Sequence, residues 1–227
     1  FGVTLSRNGN TGQKYNLFSG WAIEPKQHDC SNFLNFIYNV ICDQNQKIYE
    51  WLLDWLAHMF QFPERKSDST VAVALRGLKG IGKNFFAEKI IELIGERHSM
   101  LIQQEDLLFG RFKEHLLGLV LIVLDEIGWG GNKKQEKELK GMVTGDKLVV
   151  EPKGRKPILI DNFARFLFLG NESWMLPASV DERRFLVLDV PDTHRKDYDY
   201  FSNLHKHWNQ GEKEGFLYYL LNCKISH

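Results

Sequence analysis

Residues 71–95, VAVALRGLKGIGKNFFAEKIIELIG, restrict the possible folds of this chain more than any other stretch. The first six are mostly β-branched or apolar and read as a buried strand. Gly77, Gly80 and Gly82 follow, then Lys83, then a helix-period run that Gly95 closes as a left-handed cap. Strand, glycine loop, lysine and helix in that order make a phosphate-binding loop. Glycines let the backbone of Gly77, Leu78, Lys79, Gly80, Ile81 and Gly82 curl so that successive N–H groups face one anion. Lys83, Asn84 and Phe85 carry that cradle into the positive end of the helix, and Lys83 adds a full charge for the β and γ oxygens. The bland alternative is an ordinary glycine-rich strand-to-helix turn. One position departs from the pattern: the residue after the lysine, expected to be a Ser or Thr that binds Mg²⁺, is Asn84. An amide carbonyl is also a hard oxygen ligand, with a longer reach.

The second half of such a site is expected on another buried strand. Residues 119–124, LVLIVL, are wholly apolar and end in Asp125 and Glu126. Asp125 is placed to hold Mg²⁺ and Glu126 to polarise an attacking water; the plain alternative is that two acids simply open a loop. Residues 165–169 form another apolar strand, ending in Gly170 and Asn171. That amide is placed for a γ-phosphate or the water, or for an Asx turn. Arg183 and Arg184 stand before the strand 185–190, as structural ion pairs or as fingers reaching a nucleotide.

The chain has 227 residues, 43% apolar and 13% aromatic, enough for one large core and incompatible with disorder. A formal net charge of zero argues against a globally basic nucleic-acid binder, although not against a local basic loop. Such a loop is expected: residues 145–161 read as two short strands around the tip Pro152-Lys153-Gly154-Arg155-Lys156. Lys147, Lys153, Arg155 and Lys156 suit a phosphate backbone, or are a solvated face. Three widely spaced cysteines without a CxxC pattern suggest a reducing, cytoplasmic setting. No apolar run reaches the ~18 residues of a membrane span, and the start at Phe1 suggests a piece of a longer protein.

Residues 1–25 look irregular or hairpin-like. Ser31 is expected to cap a helix over 32–42, and Asp43 with Gln46 to form a capping box for a second, whose apolar face runs from Ile48 to Phe60. A polar break at 63–69 places a boundary between a helical unit, residues 1–66, and an α/β core, residues 67–227, with a mainly parallel sheet. Further helices are expected at 105–117 and 133–144, and two closing ones at 198–208 and 212–221, split near Gly211.

Together, GLKGIGKN, LVLIVLDE, KLVVEPKGRK, FLFLGNE and DERRFLVLDV stand in the order of the superfamily 3 helicases, the AAA+ P-loop ATPases of small DNA viruses and phage replication proteins. The chain most resembles the helicase-like domain joined to phage and mobile-element primase-polymerases. YNLFSGWAIEP, LLDWLAHMFQFPERK and FGRFKEHL extend the likeness over most of its length. The resemblance implies that Lys83 is the Walker A lysine and that Asp125 and Glu126 are the Walker B acids. It makes Asn171 the sensor, Lys147 to Lys156 a DNA-gripping hairpin, and Arg184, with Arg183 as the other candidate, the trans-acting finger. It further implies ATP and Mg²⁺ as cofactors, a hexameric ring, single-stranded DNA as partner, and a primase or polymerase domain on the same full-length chain. Rival readings are a stand-alone P-loop kinase, and a nucleotide-binding ring scaffold with little turnover, which Asn84 keeps open.

Overall fold

A computed structural model describes residues 3–7, 9, 12–66, 71–127, 132–171 and 184–226. Its centre is a five-stranded, wholly parallel sheet: β3 (Ala72–Arg76), β4 (Ser99–Ile102), β5 (Leu121–Asp125), β8 (Arg165–Gly170) and β9 (Phe185–Asp189), in the spatial order β4-β5-β8-β3-β9. Alternate residues of each strand feed two separate cores. Val73, Leu75, Val123, Leu167 and Leu169 point to one face. It is covered by α1 (Ser31–Phe36), α2 (Gln46–Gln61), α3 (Lys83–Ile94), α6 (Tyr198–His207) and α7 (Lys213–Asn222). Ala72, Ala74, Ile122, Leu124, Phe166 and Phe168 point to the other, against α4 (Glu105–Phe109), α5 (Lys133–Thr144) and the hairpin of β6 (Lys147–Val150) and β7 (Ile158–Asp161). With both faces covered, polar alternation has no place along the strands, which is why they read as continuous apolar runs.

Parallel strands deliver their C-terminal ends to one edge. Gly77 after β3, Gln103 after β4, Asp125 and Glu126 at the end of β5, and Asn171 after β8 therefore meet there. The chain leaving β3 passes over β8 and β5 to reach β4, while β9 lies on the other side of β3. That change of direction opens a crevice at the loop after β3, the usual place for a ligand in an open α/β sheet.

Several local expectations are corrected. Among the described residues of the N-terminal segment, β1 (Val3–Thr4) and β2 (Tyr15–Asn16) pair in parallel and not as a hairpin. Ser31 does not cap α1. The Glu212 carboxylate, from far along the chain, accepts the Asn32 and Phe33 N–H groups instead, and after Phe36 the helix widens into a π turn, Ile37–Ile41. The cap of α2 is Asn45, whose Oδ1 accepts the Ile48 N–H, since Asp43 and Gln44 both take left-handed backbone. The helix expected over 105–117 ends at Phe109 and resumes only as a single 3-10 turn, Glu114–Leu116. By contrast, α5 spans the expected residues, and Gly211, at φ 117°, marks the break before α7.

The N-terminal helices share their core with the sheet. Leu52, Leu56 and Phe60 of α2 join the same apolar cluster as Val73 and Phe86, and the Trp55 indole donates to the Val71 carbonyl at 3.0 Å. Lys66 reaches to the far side and donates to the carbonyls of Met142, Val143 and Gly145, closing the end of α5. Burial, with Arg165 nearby, pushes the Lys66 ammonium down to about 7.

Candidate functional site

The glycine loop owes its shape to left-handed backbone. Gly77 has φ 144° and Gly80 φ 78°; Gly82, directly before α3, has φ 108°. At Gly82 a second constraint acts, because a Cβ there would lie 3.1 Å from the rings of both Phe201 and Phe36. The closing helix α6 thus packs on the back of the loop, and only glycine meets both demands. A segment before α6 secures the front: the Lys196 N–H donates to the Gly80 carbonyl at 2.9 Å. Lys196 itself takes left-handed backbone at φ 58°.

Inside the loop lies Lys83, only 4% exposed. Its ammonium donates to the Gly77 and Leu78 carbonyls, each at 2.6 Å, and to Asn171 Oδ1 at 3.3 Å. Burial lowers its pKa from the ordinary lysine value, opposed by the carboxylates of Glu126 and Asp125.

The two acids converge through a backbone anomaly. Successive residues of a strand point to opposite faces, so Asp125 and Glu126 should diverge. Glu126 instead adopts φ 53°, unusual for a side-chain-bearing residue, with its N–H held by the Leu169 carbonyl at 3.0 Å. Both carboxylates consequently line one cavity of about 310 Å³, with Lys79, Gly80, Lys83, Asn84, Gln103 and Asn171. An observed backbone outlier of this kind is a mark of functional sites.

Within the cavity each acid is held by its own set of donors. Glu126 accepts Asn171 Nδ2 at 2.5 Å and the Lys79 ammonium at about 3 Å on both oxygens. Lys79 above all, with the Asn171 amide, keeps its carboxyl below the ordinary range, so it is ionised at neutral pH. Asp125 Oδ2 accepts Gln103 Nε2 at 2.8 Å and Asn84 Nδ2 at 3.3 Å. Asn171 bridges the whole arrangement, accepting from Lys83 and donating to Glu126.

The remaining candidates lie elsewhere. Arg184 immediately precedes β9, which runs parallel to β3, so it sits at the opposite edge of the sheet. About 16 Å of strand separates it from the glycine-loop edge. Arg183 lies outside the described residues. Lys147 is ion-paired with Asp161 at the root of the β6–β7 hairpin, and Lys153, Arg155 and Lys156 are exposed on its tip. Sequence reasoning missed Gln103, although a polar residue ending a strand at this edge was a usable signal. It also missed Lys196, for which the sequence carries none, and the side-chain role of Lys79.

Among known proteins, a model described as a family of unknown function (DUF5906) matches residues 75–184, a span that includes all the candidate residues named from the sequence. The DNA primase-polymerase of Nitratiruptor phage NrS-1 is 25% identical over 194 residues, 84% of this chain and 26% of that protein. Among solved structures, the apo C-terminal region of NrS-1 (305–718) superposes with a TM-score of 0.79 at 21% identity, over 99% of this chain and 55% of that one. A second apo form of that region gives 0.78 at 20% identity, with the same coverage. The chain spans about a quarter of the curated relative's length.

Proposed function

We propose that this chain is a P-loop ATPase domain of the superfamily 3 helicase type, moving single-stranded DNA within a phage or mobile-element replication protein. The observation that carries the reading is the convergence of Lys83, Asn84, Asp125, Glu126 and Asn171 from three strand ends onto one cavity. Similarity to a phage primase-polymerase supports the setting, and implies that further domains lie on the full-length chain.

In this reading the loop's backbone N–H groups and Lys83 bind the triphosphate. Lys83 leaves the Gly77 and Leu78 carbonyls, six and five residues back in the same loop, to do so. The donor set also fits a divalent cation: Asp125 offers a carboxylate and Asn84 an amide oxygen, both hard ligands. Mg²⁺ bound there supplies positive charge to the phosphate oxygens during transfer. In the structure it is the amide nitrogen of Asn84 that faces Asp125, so ligation by Asn84 calls for an amide flip, whose two orientations have nearly the same shape. Glu126, ionised and aimed by Asn171, orients the attacking water. In this reading Arg184, at the far edge of the sheet from its own loop, serves a neighbouring copy's nucleotide in a ring of subunits.

Steady-state ATP hydrolysis with and without single-stranded DNA tests the reading. Turnover stimulated by DNA is the expected result. Absence of turnover with intact nucleotide binding would favour a ring scaffold, and DNA-independent transfer to a small acceptor a kinase.

A further inference from the structure

The β6–β7 hairpin has an outward face that a merely solvated loop does not need. Most of its inner face is buried: Leu148, Val150 and Ile160 lie in the second core with Leu139 and Met142 of α5, while Ile158, opposite Val150, is 48% exposed. On the outer face, Lys147 opposes Asp161, which also accepts Lys14 at 2.6 Å. The next outward pair is Val149 opposite Leu159, 60% and 66% exposed. Beyond it the tip carries Lys153, Arg155 and Lys156. From root to tip, then, the face runs from neutralised charge through paired aliphatics to cations with no ion-pair partner among the described residues.

We infer that Val149 and Leu159 form a platform for the bases of a single strand whose phosphates the basic tip holds. The inference rests on the proposed DNA contact and adds what part of the strand is read. Three arguments select this occupant. A polyanion with apolar faces matches a cationic tip joined to an aliphatic step, and only a single strand exposes its base faces, since a duplex stacks them inside. Directly opposed cross-strand residues stand about 5 Å apart at Cβ, giving a patch about the width of one base. Four residues separate Val149 from Lys153, at most about 13 Å of strand, within the span of about four stacked phosphates. A second copy of the chain is the poorer fit, because a stable protein interface needs about 800 Å² per partner and two side chains fall far short.

The test compares two fluorescent oligonucleotides of equal length and charge, one of thymidine and one abasic, titrated with the 227-residue chain. Val149→Ser with Leu159→Ser should weaken binding to the thymidine strand by about fivefold to tenfold and to the abasic strand by less than about twofold. Both positions are exposed, so the fold should survive. Leu159→Phe provides the opposite sign, tightening thymidine binding alone through stacking. Equal losses on both strands, or none, would overturn the inference, as would a change in native mass with unaltered DNA binding, which would assign the pair to an interface between copies. Lys153→Ala with Arg155→Ala and Lys156→Ala is the control for the underlying reading. If those changes leave both affinities intact, the hairpin does not grip DNA at all; if they weaken both while the serine changes do nothing, only the base platform is wrong.

Discussion

The glycine-loop edge of the sheet and the β6–β7 hairpin spend charge in opposite ways. At the loop edge, Lys79, Lys83, Asp125 and Glu126 are each bonded to a neighbour within one small cavity. At the hairpin tip, Lys153, Arg155 and Lys156 are exposed and have no ion-pair partner among the described residues. Under the proposed function the contrast follows from two tasks. Chemistry on a phosphate requires groups held in place beforehand, because reorganising them during the reaction costs rate. Gripping a backbone without regard to sequence requires free cations, because affinity comes from the counterions that a polyanion releases on meeting them.

The sharpest way to break this comparison is to change charge at the loop edge alone. Glu126→Gln keeps shape and hydrogen bonding while removing the charge proposed to orient water. ATP should still bind, and turnover should fall by about two to four orders of magnitude. Lys83→Ala should abolish nucleotide binding as well, measured with a fluorescent ATP analogue, without loss of fold. Unchanged turnover in Glu126→Gln would remove Glu126 from the chemistry. Next in size is the tip: alanine at Lys153, Arg155 and Lys156 should lower the slope of log affinity against log salt by about 2, at about 0.7 per lost single-strand phosphate contact. Nucleotide binding should not change, and a parallel loss there would show that the two regions are not separate.

A smaller effect is expected where the regions are joined. Lys66 ties the N-terminal helices to the end of α5, next to the hairpin root. Unfolded, it keeps its proton up to about 10.5; folded, it releases it at about 7. Between those values the unfolded state binds more protons, so stability should rise with pH across that window, by on the order of a few kcal/mol at most. Below it, the penalty is constant. Denaturant midpoints measured from pH 7 to 10 should show this rise, and Lys66→Met should flatten it. The smallest change is expected for Asn84→Ser, which puts a hydroxyl beside the proposed metal position and should keep or modestly raise turnover. A tenfold fall would mean that the Asn84 amide, which donates to Asp125, is required and not merely tolerated.

Legibility in the sequence followed the range of the cause. The strands of the parallel sheet, the glycine loop, α5 and the break at Gly211 were readable because periodicity, caps and left-handed glycines act within a few residues. The cap of α1 was not, since Glu212 arrives from the other end of the chain. The early end of the 105–117 helix was misjudged because its apolar residues continue past Gly110, the residue after α4.

What the sequence by itself determined is which chemistry is on hand: three glycines and a lysine between strand and helix, two acids and an amide at the ends of apolar strands, and cations on a short hairpin. Only the tertiary structure decided which of these meet. Parallel pairing of β5, β8 and β3 sets Asn171 between the lysine and Glu126. A left-handed turn at Glu126 swings it to the side of Asp125, and Lys79 and Gln103 become partners of the two acids across gaps of 47 and 22 residues. Those pairings depend on strand order, and strand order is set by burying both faces of one sheet at once, a condition that no local stretch of sequence contains.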